Sequence, residues 1–212
     1  SSMDKGVSQA VSDFNLERGP QDFEGEFALV QNFARVSNRP MSISLMQRDM
    51  APNQWREIIE RCDASDLPMF FQVAPRGIGT MLGLSGTFHP LMAFPSYIEI
   101  AHLPLLERVE LLRDPQRRSR ILQETPVQLA GEGTSIPPIV DALFKQLDHV
   151  SKKLFVLGSN PTYEQPFTQS IYAKAMKKGV SPLECMYDVL LEDDGNALLY
   201  FPIYNYTEGN FD

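Results

Sequence analysis

Met69-Phe70-Phe71-Gln72-Val73 runs directly into Ala74-Pro75-Arg76-Gly77-Ile78-Gly79-Thr80. The first five residues hold one polar side chain among aromatic and branched ones, which predicts a strand covered on both faces, as in parallel sheets. The proline- and glycine-bearing stretch predicts the loop leaving its C-terminal end, where ligands sit in parallel α/β folds. Upstream, Met41–Gln47 predicts another strand, with Ile43 and Leu45 on one face. Between the two, Trp55, Ile58, Ile59 and Cys62 recur at helical spacing, and Pro52 suits a first helical turn. Earlier still, Phe23, Phe27, Val30 and Ala34 predict a helix capped by Asp22 and ended at Asn38-Arg39-Pro40, because a residue before proline is held out of the helical region. Val7–Val11 is a short strand candidate. The order is β-α-β-α-β, whose helical crossovers predict parallel pairing with right-handed connections.

Beyond this region the pattern turns helical. Helices are predicted at Glu107–Arg113 and Pro115–Glu124, and one amphipathic helix carries Val140, Leu143, Phe144, Leu147 and Val150. Gly158–Pro166 reads as loop, and Thr168–Lys178 as a helix ended by Gly179. Ser181-Pro182-Leu183-Glu184 is a helix start in which Ser181 caps and Glu184 closes a capping box. Asp193-Asp194-Gly195 stops that helix, and Ala197–Tyr206 returns to strand.

The 212 residues carry a net charge of −8, with 43% hydrophobic and 22% charged residues. That is ordinary globular usage and excludes wholesale disorder. The acidic balance argues against a nucleic-acid binder, and no apolar run approaches the roughly 20 residues of a membrane span. Ser1-Ser2 ahead of Met3 reads as a cloning remnant on an excised segment, with no apolar leader. Cys62 and Cys185 belong to no Cys-x-x-Cys pair and read as reduced, buried thiols of a cytosolic protein. The length falls short of the roughly 250 residues of a complete (β/α)8 barrel.

Candidate chemistry is sparse. His89, His102 and His149 form no metal-type pair and read as separate surface or capping residues. There is no Gly-x-Ser-x-Gly elbow. In the loop after the strongest strand, Arg76 offers a bidentate donor for a carboxylate and Thr80 a hydroxyl, although a tight turn with a solvated arginine accounts for the same residues. Gln47 closes the end of the preceding strand, and Gln72 needs partners if it is buried. Arg108, Arg113, Arg117, Arg118 and Arg120 stand among Glu107, Glu110 and Asp114, which predicts a salt-bridged face rather than a basic patch. Tyr200–Tyr206 is aromatic enough to line a pocket but reads more readily as sheet core, and Asn205-Tyr206-Thr207 matches a glycosylation sequon that means little without secretion.

Taken in order, several segments resemble a known family. Asn38-Arg39-Pro40-Met41-Ser42-Ile43-Ser44-Leu45-Met46-Gln47 precedes Trp55 and then Phe71-Gln72-Val73-Ala74-Pro75-Arg76-Gly77-Ile78-Gly79. His102-Leu103-Pro104-Leu105 and Leu112-Arg113-Asp114-Pro115 follow, and Leu191-Glu192-Asp193-Asp194-Gly195 leads to Tyr204-Asn205-Tyr206 and Gly209-Asn210. The succession resembles the central-to-late part of the N-acyl-D-amino-acid deacylases, the D-aminoacylase branch of the amidohydrolase superfamily, over nearly the whole chain. The resemblance implies a zinc-dependent (β/α)8 hydrolase that cleaves the amide of N-acyl-D-amino acids. There a metal-bound hydroxide attacks the carbonyl and an aspartate shuttles the proton. It places Val7–Val11, Met41–Gln47 and Met69–Val73 as barrel strands five, six and seven, with Ala197–Tyr206 leading towards the eighth. The implied division is a partial parallel β/α barrel at residues 1–81, a mostly helical insertion at 82–179, and a return to barrel helix and strand at 180–212.

The family's catalytic residues do not carry over. Its first-strand His-x-His would precede Ser1, and its Ser-Asp-Gly-Gly segment would follow Asp212. Its strand-five histidine falls near Val11, its strand-six histidine near Leu45 or Met46, and its lysine at Gln47; none of these is a zinc ligand. Ala74-Pro75-Arg76 and Gly79-Thr80-Met81 match its Tyr-Pro-Tyr and Gly-Ser-Thr elements, so Thr80 stands where a substrate-binding serine would. The chain is therefore expected to hold no catalytic residue and no metal ligand, with Arg76, Thr80 and Gln47 as substrate-binding residues. Arg76 would hold the substrate carboxylate. Zinc and an N-acyl amino acid belong to the parent enzyme, and this chain alone is expected to be inactive. The rival reading is a non-catalytic scaffold or interaction module whose helical insertion is its partner surface. Either reading predicts self-association through exposed sheet edges, no nucleic acid or membrane partner, and a cytoplasmic location.

Overall fold

The computed structural model describes residues 23–49, 51–136 and 138–210. The strand candidate Val7–Val11 and the cap Asp22 lie outside the described residues. The chain is mixed α/β. It runs α1 (Phe23–Ser37), β1 (Met41–Leu45), α2 (Gln54–Asp63), β2 (Met69–Val73), β3 (Ile78–Leu82), α3 (Pro95–Ile98), α4 (Leu105–Leu112) and α5 (Pro115–Gln123). It continues through α6 (Pro138–Lys145), α7 (Leu147–Ser151), β4 (Phe155–Leu157), α8 (Ile171–Lys178), α9 (Pro182–Leu190) and β5 (Leu198–Tyr204). These elements form two compact units: the described residues up to Ile78 with Ile203–Asn210, and Gly79–Pro202.

In the first unit, β1 and β2 pair in parallel, in register from Met41–Met69 to Leu45–Val73, with α2 as the crossover. The alternation in β1 buries Met41, Ile43 and Leu45. Phe27, Val30 and Ala34 of α1 and Ile58 and Cys62 of α2 complete that core. Helix α1 ends where Asn38 turns left-handed (φ 50°) and its N–H donates to the Ala34 carbonyl at 3.1 Å. Two expectations need correction. Pro52 precedes α2, whose cap position is Asn53, because Ala51 N–H first donates to the Arg48 carbonyl at 3.2 Å. Strand β2 is not covered on both faces: Phe70 is 58% and Val73 62% exposed, and Gln72 meets solvent. Apolar composition alone does not show which face the neighbouring helices reach.

In the second unit the sheet order is β3-β5-β4, with β4 antiparallel to β5 and Phe155 opposite Tyr200. The last strand thus does not join the parallel pair. The stretch Ile78–Thr80, expected as loop, is part of β3. Its glycine serves close approach rather than turning, since a Cβ on Gly79 would lie 2.5 Å from Tyr200 Cε2 and 2.7 Å from the Phe201 carbonyl oxygen. The helix predicted across residues 140–150 is broken at Gln146 (φ −124°, ψ 34°) into α6 and α7. Helix α8 starts at Ile171, after a 3-10 turn at Phe167–Gln169, with Ser170 Oγ accepting from Ala173 N–H at 3.2 Å and Gly179 (φ 71°) ending it. At α9 the predicted cap is present: Ser181 Oγ accepts from Glu184 N–H at 3.1 Å. The Glu184 carboxylate is engaged by Arg118 at 2.9 Å.

The core of this unit includes Leu112, Ile121, Ile171, Met186 and Tyr187. The Tyr187 hydroxyl donates to the Leu112 carbonyl at 2.6 Å, and burial pushes its phenol up to about 12. The arginine face is salt-bridged: Arg118 also reaches Asp188 at 2.9 Å, Arg117 reaches Glu99 at 3.0 Å, and Arg113 reaches Asp194 at 2.9 Å. Cys62 and Cys185 are both buried and free, and burial raises both thiols above their ordinary range. Among the described residues no helix is long and apolar enough to cross a membrane.

Candidate functional site

Parallel pairing brings the C-terminal ends of β1 and β2 to the same side of the first unit. The chain leaves β1 through Met46-Gln47-Arg48 and leaves β2 through Ala74-Pro75-Arg76-Gly77. The segment after β5 docks onto both exits. Asn205, left-handed at φ 58°, donates its N–H to the Gln47 carbonyl at 3.0 Å, and its Oδ1 accepts from Gln47 N–H at 2.8 Å. Its Nδ2 donates to the Arg76 carbonyl at 3.3 Å. Around it, Arg48 and Tyr204 form an antiparallel bridge, and Thr207 Oγ1 donates to Asp49 Oδ1 at 3.3 Å.

Two of the three sequence-predicted binding residues, Gln47 and Arg76, are thereby tied by their main chains to one asparagine. Arg76 is exposed and Gln47 half-buried. Among the described residues no carboxylate pairs with the Arg76 guanidinium. Thr80 belongs to the second unit, half-buried in β3 on the same face as Ile78 and Leu82. Asn205 itself escaped sequence reasoning, which treated it as part of a sequon. Its signal was a residue type that tolerates left-handed backbone, placed at the end of a strand. An open depression of about 490 Å³ lies elsewhere in the first unit, along Ala51–Gln54, Arg56, Glu57 and Glu60, and includes none of these residues.

Compared with protein-family models, curated proteins and solved structures, the chain matches none.

The zinc implied by the resemblance does not fit the residues present. Leu45 is buried in the apolar core, and Met46 and Gln47 beside it offer no imidazole, thiolate or carboxylate. Among the described residues no group of three or more His, Cys, Asp or Glu is arranged to hold a metal ion. His102 and His149 are exposed, but His89, expected at the surface, is only 4% exposed. Its Nδ1 accepts from Leu91 N–H at 3.2 Å, and its ring lies edge-on to Tyr97, centroids 4.5 Å apart. Arg108 donates to the Tyr97 hydroxyl at 2.5 Å. Burial, then the Arg108 charge, pull the His89 imidazole down to about 3, so it is neutral at pH 7. The correction has a physical cause: the covering partners, Tyr97 and Arg108, come from α3 and α4 rather than from residues adjacent to His89. What the β1–β2 junction can do is bind: an exposed guanidinium on an anchored loop can grip a carboxylate through paired charge-assisted hydrogen bonds.

Proposed function

We propose that this chain is part of a metal-dependent amidohydrolase acting on N-acyl-D-amino acids or a related C–N bond, and that it supplies substrate-holding surface. In this reading β1 and β2 are neighbouring strands of a (β/α)8 barrel. The supporting observation is the Asn205 junction, which holds Gln47 and Arg76 together at the C-terminal ends of parallel strands, where barrel enzymes bind their substrates. The ordered motifs across the chain support the same reading. Arg76 grips the substrate carboxylate. No zinc ligand is assigned here, and zinc is the parent enzyme's cofactor. A cytoplasmic setting accords with two reduced, buried cysteines.

Calorimetric titration with N-acetyl-D-leucine tests the proposal. Saturable binding is expected, and Arg76→Ala should weaken it roughly 10- to 100-fold, the loss of charge-assisted bonds worth about 1.5–3 kcal/mol. The uncharged analogue N-isopentylacetamide should not distinguish wild type from variant. Absence of binding to wild type overturns the reading. Hydrolysis of N-acetyl-D-leucine by the chain with stoichiometric zinc is expected to be nil, because Leu45, Met46 and Gln47, which stand where the family has metal-site residues, are not zinc ligands. Turnover there would refute that assignment.

A second reading, a non-catalytic interaction module, draws on Leu29, Phe33 and Val36, which recur at helical spacing on α1 and are all exposed. Concentration-dependent sedimentation that Val36→Glu abolishes, together with no ligand binding, would favour it. Self-association fits either reading.

A further inference from the structure

We infer that Asn205 is a positioning residue that couples the exit of β1 to the loop after β2 and so fixes where Arg76 stands for its ligand. The ligand part of this rests on the substrate reading above; the coupling does not. Three features of asparagine are used at once. Its backbone sits at φ 58°, a conformation that strains most residues but that asparagine adopts readily. Its amide oxygen accepts from Gln47 N–H while its amide nitrogen donates to the Arg76 carbonyl, so one planar group spans two loops 29 positions apart in sequence (76 − 47). Its own N–H, donated to the Gln47 carbonyl, fixes the amide on the β1 side. The orientation of the amide follows from its partners, because a main-chain N–H demands the oxygen and a main-chain carbonyl demands the nitrogen. Aspartate keeps the acceptor and loses the donor. Glycine keeps the backbone and loses both.

That difference makes the coupling separable from folding. Three proteins are compared, wild type, Asn205→Asp and Asn205→Gly, by amide hydrogen exchange at Gln47, by trypsin cleavage after Arg76, and by calorimetric affinity for N-acetyl-D-leucine. In Asn205→Asp the Gln47 amide stays protected, while cleavage after Arg76 accelerates and affinity falls, each about three- to tenfold for one lost hydrogen bond. In Asn205→Gly the Gln47 amide is deprotected as well, by a similar factor. Cleavage after Arg76 unchanged in both variants would overturn the coupling. Wild type that binds no N-acetyl-D-leucine yet shows the exchange and cleavage pattern would remove the substrate reading and leave the coupling standing. Unchanged affinity in variants that do loosen Arg76 would overturn the positioning role.

Discussion

Gly195→Ala is expected to lower the unfolding free energy by about 3 kcal/mol, read from the urea midpoint. Gly195 is buried at φ 84° in the turn after α9. A Cβ there would stand 2.5 Å from Val109 Cγ2 and 3.1 Å from Leu105 Cδ1, both on α4. Left-handed backbone costs a non-glycine residue about 1–2 kcal/mol. Forcing a methyl into a packed core adds about 1–3 kcal/mol. The two preceding residues, Asp193 (φ 50°) and Asp194 (φ 48°), are also left-handed. Asp193→Gly removes that strain without a clash and is expected to change stability by no more than about 1 kcal/mol. Equal losses from both substitutions would show a generally fragile turn and refute the packing argument.

Acid is the second large lever. The folded His89 imidazole titrates near 3, against an ordinary value of 6.5. Above pH 6.5 neither state binds the proton, and the stabilisation is fully present. As pH falls below 6.5 the unfolded chain takes up a proton that the folded protein refuses until about pH 3, so stability drains across that window. At pH 5 the loss is roughly 2 kcal/mol, from about 1.4 kcal/mol per unit. His89→Asn offers Leu91 N–H an acceptor that does not titrate here. Urea unfolding at pH 7 and pH 5 should therefore show a larger drop in wild type than in the variant by about that amount. Parallel pH profiles would refute the assignment to His89.

Elements with a strong period were legible in the sequence for plain reasons. Phe27, Val30 and Ala34 recur every three to four residues, and Met41, Ile43 and Leu45 every two, so α1 and β1 follow from the residues alone. The cap at Ser181 was legible too, because the capping group is local. What escaped depends on residues distant in sequence. Gly79 signalled a loop, but it is the neighbouring strand's Tyr200 that requires a glycine in β3. Phe155–Leu157 is too short to show a period. The break at Gln146 carries neither proline nor glycine to announce it. Of the candidate site, Gln47 and Arg76 were found by their place at strand ends. Asn205 was not, because its role exists only once residues 47, 76 and 205 have met.

That meeting has a consequence for how the protein is made. Gln47 and Asn205 are 158 residues apart, and joining them in an unstructured chain means closing a very long loop. The second unit shortens it: once β3 and β5 are neighbours, Gly79 lies against Phe201, three residues from Arg76 and four from Asn205. A ribosome releases β1 and β2 long before residue 205 emerges, so the ends of that pair stay untied through most of synthesis. Closing the Gln47–Asn205 junction therefore costs least after β3 and β5 have paired.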